Sequence, residues 1–167
     1  KIMQKESELQ AGDYTLNKNV SPYQLMLSLN HGKSTQGNIT FIEGKTFKQM
    51  RAKLAKNDAV KTTIADMSDA EVMKLVGQGE KHAEGLFFPD TFYFDRNTAD
   101  TVLLKRSYDI MQSKLAQAWQ NRAPNLPYKN SFDALIMASI VEKETGKATE
   151  RPEIAGVFLN RLRIGMR

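Results

Sequence analysis

Apolar and polar positions along this chain fall into blocks that read as a strand followed by a capped helix, and the block recurs. Residues 9–16 (LQAGDYTL) have the short alternation of a strand, with Tyr14 and Leu16 on one face. In the SPYQLMLSLNHG that follows, Ser21 is an N-cap, Pro22 suits the first helical position and Gln24 completes a capping box. Leu25 and Leu29 supply the apolar stripe of that helix, and Gly32 ends it. Residues 38–42 (NITFI) form a second strand and Gly44 marks a turn. Thr46 with Gln49 opens a helix whose inner face is Phe47, Met50 and Leu54. A third box, Ser68 with Glu71, starts a helix carrying Val72, Leu75 and Val76, with Gly77 as its stop.

Residues 84–94 (EGLFFPDTFYF) break this rhythm. Pro89 and Asp90 put a turn between two aromatic runs, and Phe88, preceding a proline, is pushed towards extended geometry. Thr98 is a cap for a long helix reaching about Asn121, with Leu104, Tyr108, Met111, Leu115 and Ala118 as a core-facing stripe. NRAPNLPYKN, with two prolines, is a connecting loop. The next helix, SFDALIMASIVEKETG, has Asn130 or Ser131 as cap and Gly146 as stop. Its middle is apolar on nearly every face, which predicts burial. A final helix has Thr149 as cap, Pro152 in its first turn, and Ile154, Val157, Phe158 and Leu162 as packing face. These elements predict an α+β fold: a strand–helix region, then a mainly helical region carrying one short strand and turn segment.

Composition narrows the chemistry. Apolar residues at 41% and charged residues at 26% allow a globular core. The net charge of +5 comes from dispersed lysines and arginines, with no dense basic block, so nucleic acid is not an expected partner. Cysteine is absent, which excludes disulfides, zinc–thiolate sites and thiol nucleophiles. His31 and His82 are far apart in sequence, so no metal site is expected. No run of roughly 18 apolar residues is present to span a bilayer. The first residue is lysine and the last follows a strongly patterned segment, so the chain reads as part of a longer protein.

Among the acidic residues, Glu142 stands out. It lies about 20° around the helical wheel from Leu135, whereas Glu144 points to a more solvated side. A carboxyl group beside an apolar stripe is a candidate proton donor to a leaving oxygen, the step that splitting a glycosidic bond requires. The competing reading is a solvated carboxylate in the last turns of a helix. Phe87, Phe88, Phe92, Tyr93 and Phe94 form either a platform for sugar rings or a core strand. Asp90 is either a second carboxylate or the cap of its own turn. Arg161 and Arg163 complement a helix C-terminus.

ASIVEKETG (138–146) followed by ERPEIAGVFLNRLRIGMR resembles the signature of the endolytic murein transglycosylase family (MltG/YceG-like). EGLFFPDTFYF resembles a second motif of that family, Glu-Gly-x-x-x-Pro-Asp-Thr followed by an aromatic, and the first 80 or so residues resemble its LysM-like region. The resemblance implies residues 1–80 as a LysM-like region and residues 81–167 as the N-terminal part of a catalytic domain. It implies Glu142 as catalytic residue, and Phe88, Asp90, Thr91, Tyr93, Asn160 and Arg161 as substrate-binding residues. It also implies cleavage between N-acetylmuramic acid and N-acetylglucosamine in nascent peptidoglycan strands, leaving a 1,6-anhydro end, with neither metal nor organic cofactor. Cell-wall synthases are the implied partners, and a single-pass inner-membrane anchor is expected upstream, with this part in the periplasm or outside the cell. In the family, further sequence follows the Asn-Arg-Leu segment, including a Gln and an Asp-Pro pair, so the catalytic domain is expected to be truncated at Arg167. Two other functions compete with the enzyme: a non-catalytic LysM-like module that grips glycan, and a basic polyanion binder whose affinity falls steeply with salt.

Overall fold

The computed structural model describes residues 21–25, 36–79 and 82–166. The strand expected at 9–16 and the helix positions Leu29 and Gly32 lie outside the described residues. At residues 22–25 the chain is helical, and the expected box is present: Ser21 Oγ accepts from Gln24 N at 3.3 Å and Gln24 Oε1 accepts from Ser21 N at 3.1 Å. The remaining order is β1 (Gln36–Thr40), α1 (Phe47–Ala55), β2 (Val60–Lys61), α2 (Asp69–Leu75), β3 (Thr91–Asp95), β4 (Thr98–Ala99), α3 (Asp100–Gln120), α4 (Ser131–Glu144) and α5 (Arg151–Arg163). The fold is an α+β mix.

The strands make two small sheets. β1 runs antiparallel to β3, with Asn38 opposite Tyr93, and β2 runs parallel to β4. Gly37 is required where β1 crosses the core, because a Cβ there would lie 2.5 Å from Ala59 Cβ. Thr46 and Ser68 each complete the reciprocal capping box read from their sequences. α2 ends in a Schellman motif: Gly77, at φ 85°, donates to Lys74 O and Gln78 N donates to Met73 O.

One core joins these pieces. Ile39 and Phe41 pack with Phe47, Met50 and Leu54 of α1, Val72 and Met73 of α2, Phe92 and Phe94 of β3, and Leu103, Leu104 and Tyr108 of α3. It is continuous across residue 80, since β1 and β3 come from either side of that position. Aromatic pairs reinforce it, with Phe47 stacked on Phe87 at 4.8 Å and Phe41 tilted against Phe92 at 5.5 Å. Asp100, fully buried at the start of α3, accepts from the backbone N–H groups of Thr63, Ile64 and Thr101 and from the Thr63 hydroxyl. The buried carboxylate is thereby solvated by protein donors and ties the segment after β2 to the start of α3.

Several expectations change. α3 begins one residue later than the Thr98 cap predicts: Ala99 is its N-cap, and the Thr98 hydroxyl donates instead to Asp95 O at 2.6 Å. Only the first half of the α3 stripe is buried, including Leu104 and Tyr108, while Ala118 is exposed. Leu75 of α2 faces outward, and Met73 takes the inner position. α5 is preceded by Glu150, not Thr149, and its half-buried positions are Ile154, Ala155, Gly156, Phe158 and Leu159, with Val157 and Leu162 exposed.

The largest correction concerns α4. Its apolar sequence predicts a buried helix, yet Val141 is its one buried residue and Ile136 is 46% exposed. The helix contacts α3 and α5, and Leu135 packs against the core, yet most of its other positions are half-buried or exposed. Apolar composition alone does not supply a partner for every face.

A candidate active-site groove beside Glu142

α4 lies across two loops of the core and leaves a groove of about 510 Å³ between them. One wall is α4 itself, with Phe132, Leu135, Ser139, Glu142 and Lys143. The other is formed by the turn at 42–46, the start of α1 and the loop at 83–89. Apolar side chains of Phe47, Met50, Phe87, Pro89 and Met111 line its interior. Depressions of about 710 and 680 Å³ elsewhere are larger, but several of their charged side chains are engaged in structural contacts. In one, Lys105 pairs with Asp109, and Arg106 donates to Tyr93 O. In the other, Arg51 donates to Ile64 O, Met67 O and Asp69.

Two polar links hold the groove walls. Lys143 Nζ donates to Gly44 O at 2.7 Å, strapping the end of α4 to the 42–46 turn. Glu84 accepts from Phe47 N through both carboxylate oxygens, at 3.2 and 3.1 Å, at the N-terminus of α1 where the helix dipole favours an anion. Glu84, like Glu43 of the 42–46 turn, is therefore a further carboxylate in the groove beside Glu142. Sequence reasoning weighed Asp90 for that part against a turn-capping role and passed over Glu84, although Glu84 heads the motif that contains both. The Asp90 side chain accepts from Thr91 N at 2.7 Å, as its turn-capping alternative requires.

Glu142 sits in the last turn of α4 and lines the groove. Its side chain is 35% exposed and pairs with Arg151 Nη2, the first residue of α5, at 3.0 Å. The carboxylate is thus set at the wetted edge of an apolar groove and held by a cation, a different setting from the dry apolar stripe that its helical-wheel position suggests. Arg151 is the other residue that the sequence reading missed. A link across an α-turn-α connection leaves no periodic signal.

The other candidates lie apart. None of Phe88, Asp90, Thr91, Tyr93, Asn160 and Arg161 is among the described residues lining the groove. Phe87, Phe92 and Phe94 are core residues, while Tyr93, between the last two on β3, is 62% exposed. The strand alternation thus divides the aromatic cluster between core and surface. Arg161 lies over the Phe158 ring at 5.9 Å, and Asn160 is exposed on α5. Among the described residues no group of three or more acidic, histidine or cysteine side chains could hold a metal ion, and no helix is long and apolar enough to cross a membrane.

Comparison with known proteins bears on the whole chain. The profile of the YceG-like family matches residues 1–167. A Streptococcus pneumoniae (strain D39) protein named endolytic murein transglycosylase is 25% identical over 185 residues, covering 93% of this chain and 33% of the relative. A Bacillus subtilis (strain 168) protein of the same name is 26% identical over 179 residues, covering 94% and 48%. The chain thus spans less than half the length of these relatives. A crystal structure of a yceG-like protein from Listeria monocytogenes superposes with a TM-score of 0.60 at 24% identity, over 96% of this chain and 58% of that one, a likeness of fold.

Proposed function

The chain belongs to the YceG-like family, and from that premise we propose that it forms part of an endolytic murein transglycosylase with Glu142 as its catalytic residue. The observation that carries this reading is the position of Glu142, a carboxylate at the edge of an apolar groove of about 510 Å³. The likeness to relatives named for that activity supports the substrate class.

The proposed reaction needs one acid. Glu142 delivers a proton to the oxygen linking N-acetylmuramic acid to N-acetylglucosamine, and the C1–O bond breaks through an oxocarbenium-like state. The C6 hydroxyl of the same muramic acid attacks C1 and gives its proton to the Glu142 carboxylate. The 1,6-anhydro ring forms and the acid is restored. Because the nucleophile is tethered to the substrate, no second carboxylate is needed to hold a water. Glu84, already engaged by α1, is free of any such duty.

In the same reading, residues 1–80 are a LysM-like region gripping glycan. Phe88, Asp90, Thr91, Tyr93, Asn160 and Arg161 bind parts of the strand outside the groove. The full-length protein acts at the outer face of the inner membrane through a single upstream anchor, beside the synthases whose strands it ends. The test is Glu142→Gln in the full-length protein, with products followed by mass analysis of peptidoglycan. Ends lacking one water relative to hydrolysis should disappear while glycan binding persists. Near wild-type cutting by that variant would overturn the assignment.

A further inference from the structure

We propose that Arg151 is a positioning residue for Glu142, holding one carboxylate oxygen so that the other faces the scissile bond; this rests on the reading of Glu142 as the proton donor. Arg151 Nη2 engages Glu142 Oε2, and Oε1 makes no further hydrogen bond among the described residues. A glutamate in the last turn of a helix has several rotamers open to it. A group that must hand over a proton and then take one back at nearly the same point needs one of them selected.

Local helix energetics do not explain where these two charges sit. Glu142 lies near the C-terminus of α4, where the helix dipole disfavours an anion. Arg151 is the first residue of α5, where the dipole disfavours a cation. Each charge is at the wrong end of its own helix and finds its compensation in the other. An ion pair this exposed adds little to folding, so stability is a weak reason for the arrangement.

The turn between the helices is built to deliver Arg151. Thr145, buried at the end of α4, accepts from Lys147 N at 3.0 Å and donates to Glu150 Oε2 at 2.7 Å. Lys147 Nζ reaches the other Glu150 oxygen at 3.0 Å, and Glu150 N donates to Lys147 O at 3.1 Å. Thr145, Lys147 and Glu150 thus close a short hydrogen-bonded circuit whose next residue is Arg151. The circuit fixes the start of α5, and α5 fixes the guanidinium beside Glu142. The segment from Glu142 to Arg151 is then a single device: the acid, a locked turn and the cation that orients the acid.

The test compares Arg151→Gln, Arg151→Lys and Glu142→Gln in the full-length protein, reading kcat and KM for anhydro-end formation alongside the melting temperature. Arg151→Gln should lower kcat about ten- to a hundred-fold with KM changed less than about two-fold. Arg151→Lys should recover most of that loss, because the observed contact is a single N···O bond that an ammonium can also make. The proposal is overturned if Arg151→Gln keeps the wild-type kcat, if its loss is confined to KM, or if Arg151→Lys falls as far as Arg151→Gln. Should Arg151→Gln lower the melting temperature, recovery of kcat by Arg151→Lys still decides the matter. An active Glu142→Gln would instead remove the reading on which the proposal stands, so the two failures are distinguishable.

Discussion

Between Ile39 and Tyr108 the apolar side chains close on one another from three helices and three strands, whereas from Ser131 to Arg163 an equally apolar sequence buries Val141 as its single hydrophobic side chain. The first region is held by packing that reaches far along the sequence, as where β1 pairs with β3. The second is held by contacts of α4 with α3 and α5 and by point links such as Lys143 to Gly44. The groove forms where the two regions meet, with its core side backed by buried side chains and its α4 side lightly fastened. Glu142, the proposed proton donor, belongs to the lightly fastened wall. The placement of that wall depends on side-chain links more than on buried area.

Substitutions can sharpen or break this contrast. Phe92→Ala, in the core, should lower unfolding free energy by about 3–5 kcal/mol in urea titration, while Phe132→Ala, half-exposed on α4, should cost less than about 1 kcal/mol. Equal losses at the two sites would show that α4 is as well packed as the core. Asp100→Ala leaves the buried N–H groups of Thr63 and Ile64 without their acceptor and should cost about 1–3 kcal/mol, measured the same way. Thr46→Ala removes one half of a capping box and should cost about 1 kcal/mol. Lys143→Met should leave global stability within about 0.5 kcal/mol yet speed amide exchange in residues 42–46. Unchanged exchange there would mean that the strap does not hold the groove.

Acid provides the mildest probe, because each region carries one carboxylate of the same kind. Hydrogen bonds from the Ser68 backbone and hydroxyl hold Glu71 below the ordinary glutamate value of 4.5, and bonds from Thr145 and Lys147 do the same for Glu150. The folded value is depressed in both, so their contribution to stability is complete above the unfolded value. It is lost as pH falls through the folded one. Helical content followed by circular dichroism should therefore dip slightly below about pH 4.5 in wild type. The dip should shrink in Glu71→Gln and Glu150→Gln.

The capping boxes at Ser21, Thr46 and Ser68 were legible because each partner lies three residues away, within the reach of local backbone geometry. The caps at Thr98 and Thr149 were misread for a related reason. Neither helix uses a side-chain cap: the Thr98 hydroxyl is drawn to the competing acceptor Asp95 O, and α5 starts from Glu150 without a capping bond. Glu142 was singled out by its angle to Leu135, and it does reach the groove. Glu84 was not, because the amide it engages, Phe47 N, lies 37 residues away and only the folded chain brings them together.

Sequence by itself determined the element types, most helix ends, the mixed α+β class and the family signature around Glu142, since these follow from short-range periodicity, capping and turn chemistry. Tertiary structure alone decided which apolar faces were covered, that Glu84 and Glu142 line one groove, and that Arg151 is the cation beside Glu142. Burial and ion pairing depend on where distant or oppositely directed segments come to rest. No local pattern of residues encodes that.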